Sequence, residues 1–211
     1  METKKNEFIE LKFTGRVKNG EIFDTNIEED AKKINLGLNT KPTIICIGQE
    51  MVIHGFDNAL SGKKIGEKYT IELKPKEAFK ERKKELIKLV SKKIFTEKNI
   101  EPKSGMTLAL DNILVRIASV SGGRVLVDFN NPLAGKDIVY DFTIKRKVED
   151  INEKIQSILD FFIRQDIKFE IKDKKAVIEA EDFFEPLIGM LNNKFRGIIE
   201  VEFVLKEKEK K

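Results

Sequence analysis

The stretch FIELKFTGRV, followed at once by Asn19-Gly20 and then EIFDT, limits the fold of this chain more than any other feature. Ile9, Leu11 and Phe13 fall on one face, and Phe8, Glu10 and Lys12 on the other. A period of two marks a half-buried strand, because successive side chains leave a strand on opposite sides. Asn-Gly is the strongest short signal for reversing such a strand, since both residues tolerate positive φ. EIFDT reads as the return strand, so the chain commits to an antiparallel sheet near its start.

Further members follow. TIICIG and KYTIELK read as strands, with FDNALSG between them as a short helix ending in glycine. Pro75 stops the last of these, having no N–H for a ladder. KERKKELIKLVSKKIF is a basic, helix-like run carrying apolar Leu86, Ile87, Leu89 and Val90. MTLALDNILVRIASVSGGRVLVDF then reads as a strand, a crossing, and a hairpin turned at Ser121-Gly122-Gly123. IVYDFTIKRK resumes the alternation of the start. Beyond Glu149, residues Ile151, Ile155, Ile158, Leu159 and Phe162 recur at helical spacing. IKFEI and KAVIEA read as strands joined through Asp173-Lys174-Lys175, and GIIEVEFVLK as the last strand. DFFEPLIGMLNNKF reads as a helix with Asp182 as its N-cap. The KEKEKK end reads as a solvated, frayed tail.

Composition narrows the chemistry. At 211 residues the chain can bury a core without disulfide or metal staples. Its 40 basic and 36 acidic residues are interspersed, which is not the footprint of a dedicated nucleic-acid binder. No run approaches the roughly 18–20 apolar residues that cross a bilayer, so no membrane partner is expected. METKKNEFIELKF enters its strand too soon to hold a signal peptide. Cys46 is the sole cysteine, which excludes an internal disulfide and suits a reducing cytoplasm. Phosphate-loop, Cys-x-x-Cys and His-Glu-x-x-His motifs are all absent. With one histidine and one cysteine, no metal site and no cofactor are expected. His54 beside Asp57 looks like an acid–base pair, but the expectation is an exposed, non-catalytic histidine and a Cys46 buried for packing.

The order of segments resembles the FKBP-type peptidyl-prolyl isomerases. The residues that carry the resemblance are Phe13-Thr14-Gly15-Arg16, Asn19-Gly20-Glu21-Ile22-Phe23-Asp24-Thr25, the run from Ile47 to Leu60, Lys64-Ile65-Gly66-Glu67-Lys68 and Lys74 to Phe79. The basic insertion after Phe79, with Asn131-Pro132-Leu133-Ala134-Gly135-Lys136 and IVYDF after it, is similar to the SlyD branch, in which a small insert-in-flap domain interrupts the isomerase domain. The block after Glu149 is similar to archaeal long-type members. The resemblance implies an α+β fold: an FKBP half-barrel of antiparallel sheet wrapped on a short helix, a small β-rich insert-in-flap domain, and a C-terminal α+β domain. The implied divisions are 1–84 plus 130–148, 85–129, and 149–211.

It also implies a chemistry that needs no nucleophile. Prolyl isomerisation rotates one C–N bond against about 18–20 kcal/mol of amide resonance. An apolar cavity that excludes water favours the twisted amide, and a few fixed dipoles select it further. Carried over by position, the catalytic set is Asp24, Phe23, Ile53, Phe56, Phe79 and Tyr140. Phe56 would be the floor, Asp24 the polar group on the wall, and the Ile53 N–H the donor to a peptide carbonyl. Phe13, Val52, Ile45 and Leu133 would contact substrate. Several positions depart from the family: Phe56 stands where a tryptophan is frequent, Phe79 where a tyrosine is, Lys80 where a glycine follows, and Thr43 where eukaryotic members carry an aromatic residue. KEKEKK replaces the His- and Cys-rich metal tail of the SlyD branch.

The implied partners are unfolded or proline-containing polypeptides captured by the insert, with the ribosome as a further candidate and a homodimer through the C-terminal domain as another. A chaperone that holds chains without significant isomerase activity is the alternative reading, because Phe79 lacks the tyrosine hydroxyl. A third reading, an RNA-associated module, rests on the basic face of Lys83, Lys84, Lys88, Lys92 and Lys93 alone.

Overall fold

The computed structural model describes residues 2–37, 42–110 and 113–206. In chain order it has strand β1 (Phe8–Val17), β2 (Ile22–Thr25), helix α1 (Glu28–Lys33), β3 (Thr43–Cys46), α2 (His54–Ala59) and β4 (Lys68–Leu73). There follow β5 (Ile87–Ser91), α3 (Lys92–Thr96), β6 (Thr107–Leu110), β7 (Ile113–Ser121), β8 (Arg124–Asp128) and β9 (Ile138–Val148). The last part comprises α4 (Ile151–Phe162), β10 (Phe169–Lys172), β11 (Lys175–Ile178), α5 (Glu185–Phe195) and β12 (Glu202–Leu205). Two compact units result: Met1–Gly15, Ile22–Ile71 and Tyr140–Lys211 form the first, and Arg16–Glu21 with Glu72–Val139 the second.

The first unit is built on a five-stranded sheet in the order β2-β1-β9-β4, with β3 also paired to β1. β3 runs antiparallel in the register Phe8↔Cys46, Ile9↔Ile45 and Leu11↔Thr43. Ile9 and Leu11 are fully buried, as their alternation requires. Phe8, on the face otherwise given to polar residues, is buried as well. Its ring lies 6.3 Å from that of Phe195 on α5, so the C-terminal helix covers the start of β1. Alternation within one strand cannot reveal a helix that arrives nearly two hundred residues later.

The C-terminal block therefore clusters with the first sheet. Asp150 caps α4 by accepting the Glu153 N–H at 3.0 Å, and Ile155, Ile158 and Leu159 form its buried stripe. β10 and β11 form a hairpin whose turn residues Asp173 and Lys174 have φ of 47° and 59°. β12 adds parallel to β11. The expected cap at Asp182 is not made: Asp182–Phe184 form a 3-10 turn, and α5 starts at Glu185 with proline in its first turn and no side-chain cap. Proline's fixed φ starts that helix in place of a capping oxygen. Of the KEKEKK tail, residues 207–211 lie outside the described residues.

The second unit carries the four-stranded sheet β5-β8-β7-β6. Its core is Phe95, Leu110, Val115, Ile117, Val125 and Val127. The basic run from residue 80 is not one helix: only its end, in α3 (Lys92–Thr96), is helical. Lys84–Leu86 make a 3-10 turn, and β5 then pairs with β8 from Ile87↔Asp128 to Ser91↔Arg124. The apolar spacing that suits a helix also suits this edge, where Val90 packs on the core and Leu89 stays 58% exposed. Gly122 and Gly123, with φ of 55° and 76°, turn the β7–β8 hairpin at the expected place.

At the neck of this insertion the Asn130 side chain accepts the Lys83 N–H (2.8 Å) and donates to the Lys83 carbonyl (3.0 Å) and to Asp128 (2.7 Å). Asp128 is also ion-paired to Arg82. Burial alone would raise the Asp128 pKa, but the bonds from Asn130 and the charges of Arg82 and Arg116 hold it below its usual range.

Cys46 is buried on β3. Burial first, and the charge of Asp57 second, push its thiol up to about 12. Thiolate is the reactive form, so alkylation at mildly alkaline pH should be roughly a thousandfold slower in the folded chain than in denaturant. A burst of labelling of the native protein would contradict that burial.

Candidate active site

Four elements of the first unit bring one aromatic cluster together. Phe13 comes from β1, Phe23 and Asp24 from β2, Phe56 from α2, and Tyr140 from β9. Phe56 is 1% exposed and sits at the centre. The Tyr140 ring stacks on it at 4.2 Å and 15°, while Phe13 meets it edge-on at 5.8 Å. Phe23 stands perpendicular to Tyr140 at 6.0 Å and is only half-buried, so the cluster has a closed floor and an open side. Edge-to-face and offset-stacked pairs are the favourable aromatic geometries, which makes this wall rigid as well as apolar.

A polar lattice holds the strands that carry it. Asn26 accepts the Phe13 N–H (2.8 Å) and donates to the Leu11 carbonyl (2.7 Å). The Thr25 hydroxyl donates to the Phe13 carbonyl (3.0 Å), and the Thr14 hydroxyl lies 2.9 Å from it and donates to Asp30 of α1 (2.6 Å). These bonds tie Thr25 and Asn26, which follow Asp24, to Leu11, Phe13 and Thr14 of β1. As a residue Asp24 is exposed. Protein crowds one side of its carboxylate all the same, and this desolvation raises its pKa, opposed by a hydrogen bond from the Thr25 N–H. Tyr140 is held protonated, first by burial and then by the negative charge of Asp24. The cluster thus contains one phenolic donor beside one carboxylate, within otherwise apolar walls.

Val52 and Ile53 are half-buried on the loop leading into α2, and the Ile53 carbonyl accepts the Asp57 N–H at 2.9 Å. Asp57, not His54, is the residue of consequence in this segment. It is 2% exposed, and its two carboxylate oxygens accept the N–H groups of Gly48 (2.7 Å) and Glu50 (2.8 Å). Gly48 and Glu50 both have positive φ, 80° and 56°, so the carboxylate clamps the tight loop in front of Val52. The His54 side chain is 68% exposed, with Nδ1 3.7 Å from Glu50 and Nε2 3.0 Å from the Asn58 amide.

The remaining expected site residues fall elsewhere. Ile45 is buried on β3 opposite Ile9, as part of the core. Phe79 and Leu133 belong to the second unit. Phe79 is half-buried at the end of a turn in which the Lys80 N–H donates to the Pro75 carbonyl. Lys80, standing where the family carries glycine, has φ of 66°, the left-handed region that glycine enters at least cost. Leu133 is half-buried, its N–H bonded to Asn131 at 2.8 Å.

Two contributors escape a reading of the sequence. Phe142 meets Phe56 edge-on at 5.2 Å, and its place two residues after Tyr140 was the available signal. Gly15 is the other: a Cβ there would lie 2.7 Å from the Tyr140 ring and 2.9 Å from the Phe23 ring. Both rings lean over bare backbone. Gly15→Ala should displace them and lower stability by about 1–3 kcal/mol, read from urea unfolding. Wild-type stability with unshifted ring resonances would refute the close approach.

Residues 1–102 match the family FKBP-type peptidyl-prolyl cis-trans isomerase, and residues 88–133 match the FKBP26 IF domain. A short-type peptidyl-prolyl cis-trans isomerase of Methanocaldococcus jannaschii is 32% identical over 145 residues, covering 67% of this chain and 90% of that protein. The FKBP-type 16 kDa peptidyl-prolyl cis-trans isomerase of Escherichia coli is 32% identical over 111 residues, 50% of this chain and 74% of its own. SlyD of Pasteurella multocida is 28% identical over 60% of this chain and 65% of its own length. A solved wheat chain of three FKBP domains overlaps 71% of this chain and 42% of its own, at a TM-score of 0.38 and 16% identity. Identity near a third across almost all of the archaeal relative leads to one conclusion: the chain belongs to the FKBP-type peptidyl-prolyl cis-trans isomerases.

Proposed function

We propose that the chain catalyses cis–trans isomerisation of X–Pro bonds by desolvating the amide in the aromatic cluster, and that it also acts as a folding chaperone on unfolded polypeptides. The observation that carries this reading is Phe56, buried under Tyr140 and Phe13 with Asp24 at the open side. The proline ring rests on Phe56. Val52, Phe13 and Phe23 exclude water, which removes hydrogen bonds that favour the planar amide. The Ile53 N–H and the Tyr140 hydroxyl donate to peptide carbonyls, and Asp24 orients the dipole of the rotating carbonyl. Ile45 supports the wall from the core. No proton is transferred and no cofactor takes part.

Residues 85–129 serve as the insert-in-flap chaperone domain, with 1–84 plus 130–148 as the isomerase domain and 149–211 as a C-terminal domain of the archaeal long type. The match of residues 88–133 to an IF domain supports the first assignment. A client held on the insert presents its prolines at a raised effective concentration. Leu89 and Leu114, 58% and 51% exposed on the insert's sheet, offer apolar surface for such capture. The protein works in the cytoplasm on nascent or unfolded chains, near ribosomes, and the C-terminal domain is its dimer contact.

The test is a proline-limited refolding reaction monitored with wild type, Phe23→Ala and Asp24→Asn. Wild type should accelerate the slow phase, and each variant should reduce kcat/KM by about tenfold or more. Refolding unaccelerated by wild type, with aggregation still suppressed, would leave the alternative of a holdase. Because desolvation raises the Asp24 pKa, activity that needs the carboxylate should fall, as pH is lowered, slightly above the ordinary aspartate range.

A further inference from the structure

The outer side of the first sheet carries a second feature, unrelated to the aromatic cluster. Lys12 on β1, Thr143 and Lys145 on β9, and Lys68 on β4 line one concavity of about 360 Å³, completed by Ile27, Glu28 and Gly66. These are three neighbouring strands. Among the described residues, neither Lys68 nor Lys145 has a carboxylate partner, and Lys12 donates only to the Asn26 carbonyl at 3.3 Å. Some other lysines of this unit are matched with acids. Lys33 pairs with Asp30 (2.6 Å) and Lys147 with Glu7 (3.1 Å). Glu28, the single acid of the concavity, is itself engaged by Lys32 at 2.7 Å.

We propose that this cleft binds the phosphate backbone of single-stranded RNA. Strands lie about 4.8 Å apart, so lysines on β1, β9 and β4 are spread over about 10 Å, more than one phosphate group occupies. All three cations are lysines. Lysine meets a phosphate as a point charge, without the bidentate geometry that arginine brings to carboxylate and phosphate alike. Among the described residues no aromatic side chain lines the cleft, so bases are not stacked and binding is independent of sequence. The Thr143 hydroxyl can both donate and accept, as contact with a ribose 2′-hydroxyl requires. The site is distinct from the lysines of the insert and does not depend on the isomerase reading.

The experiment is fluorescence anisotropy of a labelled oligouridylate with the full chain across a salt series. Three neutralised phosphates predict a log–log salt slope of about −2, an affinity loss of about 20-fold between roughly 50 and 200 mM salt. Lys12→Gln, Lys68→Gln and Lys145→Gln together should flatten the slope to near zero, while Lys→Arg at the same positions should retain it. Gln at Lys83, Lys84, Lys88, Lys92 and Lys93 should leave it unchanged. Proline-limited refolding should be unaffected by the triple Gln variant, which separates this site from the isomerase. The proposal is overturned if wild type does not bind at low salt or if the triple Gln variant keeps the full slope. Loss of binding in the insert variant, oligothymidylate bound as tightly as oligouridylate, or binding of inorganic tripolyphosphate alone would each overturn it too.

Discussion

Phe56→Ala is expected to lower stability by about 3–5 kcal/mol and to abolish acceleration of proline-limited refolding. Phe56 is in contact with Phe13, Tyr140 and Phe142 together, so its removal opens a cavity that those rings cannot close without leaving their strands. Equilibrium urea unfolding measures the first effect, and refolding of a proline-limited substrate the second. If the alanine variant proves too unstable to assay, Phe56→Leu keeps much of the volume at a cost nearer 1.5 kcal/mol. It should stay folded and lose activity, because a branched aliphatic side chain gives the proline ring no flat floor. Full activity of a folded Phe56→Leu variant would remove Phe56 from the substrate site.

Asp57→Ala is the second large effect. The substitution removes the buried carboxylate that accepts the N–H groups of Gly48 and Glu50. Bonds to a charged acceptor contribute about 1.5–3 kcal/mol each, so a loss of about 3 kcal/mol or more is expected. The tight loop should relax and take Val52 and Ile53 with it, so activity should fall further than stability alone explains. His54→Ala, three residues away, should change neither quantity by a measurable amount. Comparing the two variants in one denaturation and refolding series separates the clamp from the acid–base reading. A fully active Asp57→Ala protein, or an inactive and well-folded His54→Ala protein, would reverse the assignment.

Both predictions concern the segment from Ile47 to Leu60, which shows how unevenly the site can be read from sequence. Phe56 was visible because its neighbours keep a recognisable order. The function of Asp57 was not, because a carboxylate nine places after a glycine looks the same whether it is solvated or clamps a loop. Gly15 was hidden for a related reason: a glycine within a strand shows its purpose only when the rings that cross it are placed. The basic run failed differently. Its apolar residues satisfy helical spacing, and the partner strand β8 that makes Ile87–Ser91 a strand lies more than thirty residues away. Local propensity is a weak prior against a complete antiparallel ladder.

Local pattern alone determined the opening hairpin, the β7–β8 turn at Gly122-Gly123 and the buried stripe of α4. Each rests on contacts between residues close in the chain, or on a backbone angle that only certain residues adopt. Tertiary structure decided what covers what. Phe8 is core because Phe195 reaches it, β12 is closed off because the Asn192 side chain bonds both the N–H and the carbonyl of Phe203 at 2.8 Å, and three lysines share a cleft because β1, β9 and β4 are neighbours. Burial and charge fields sum over whatever surrounds a group in space, and separation along the chain carries almost none of that information.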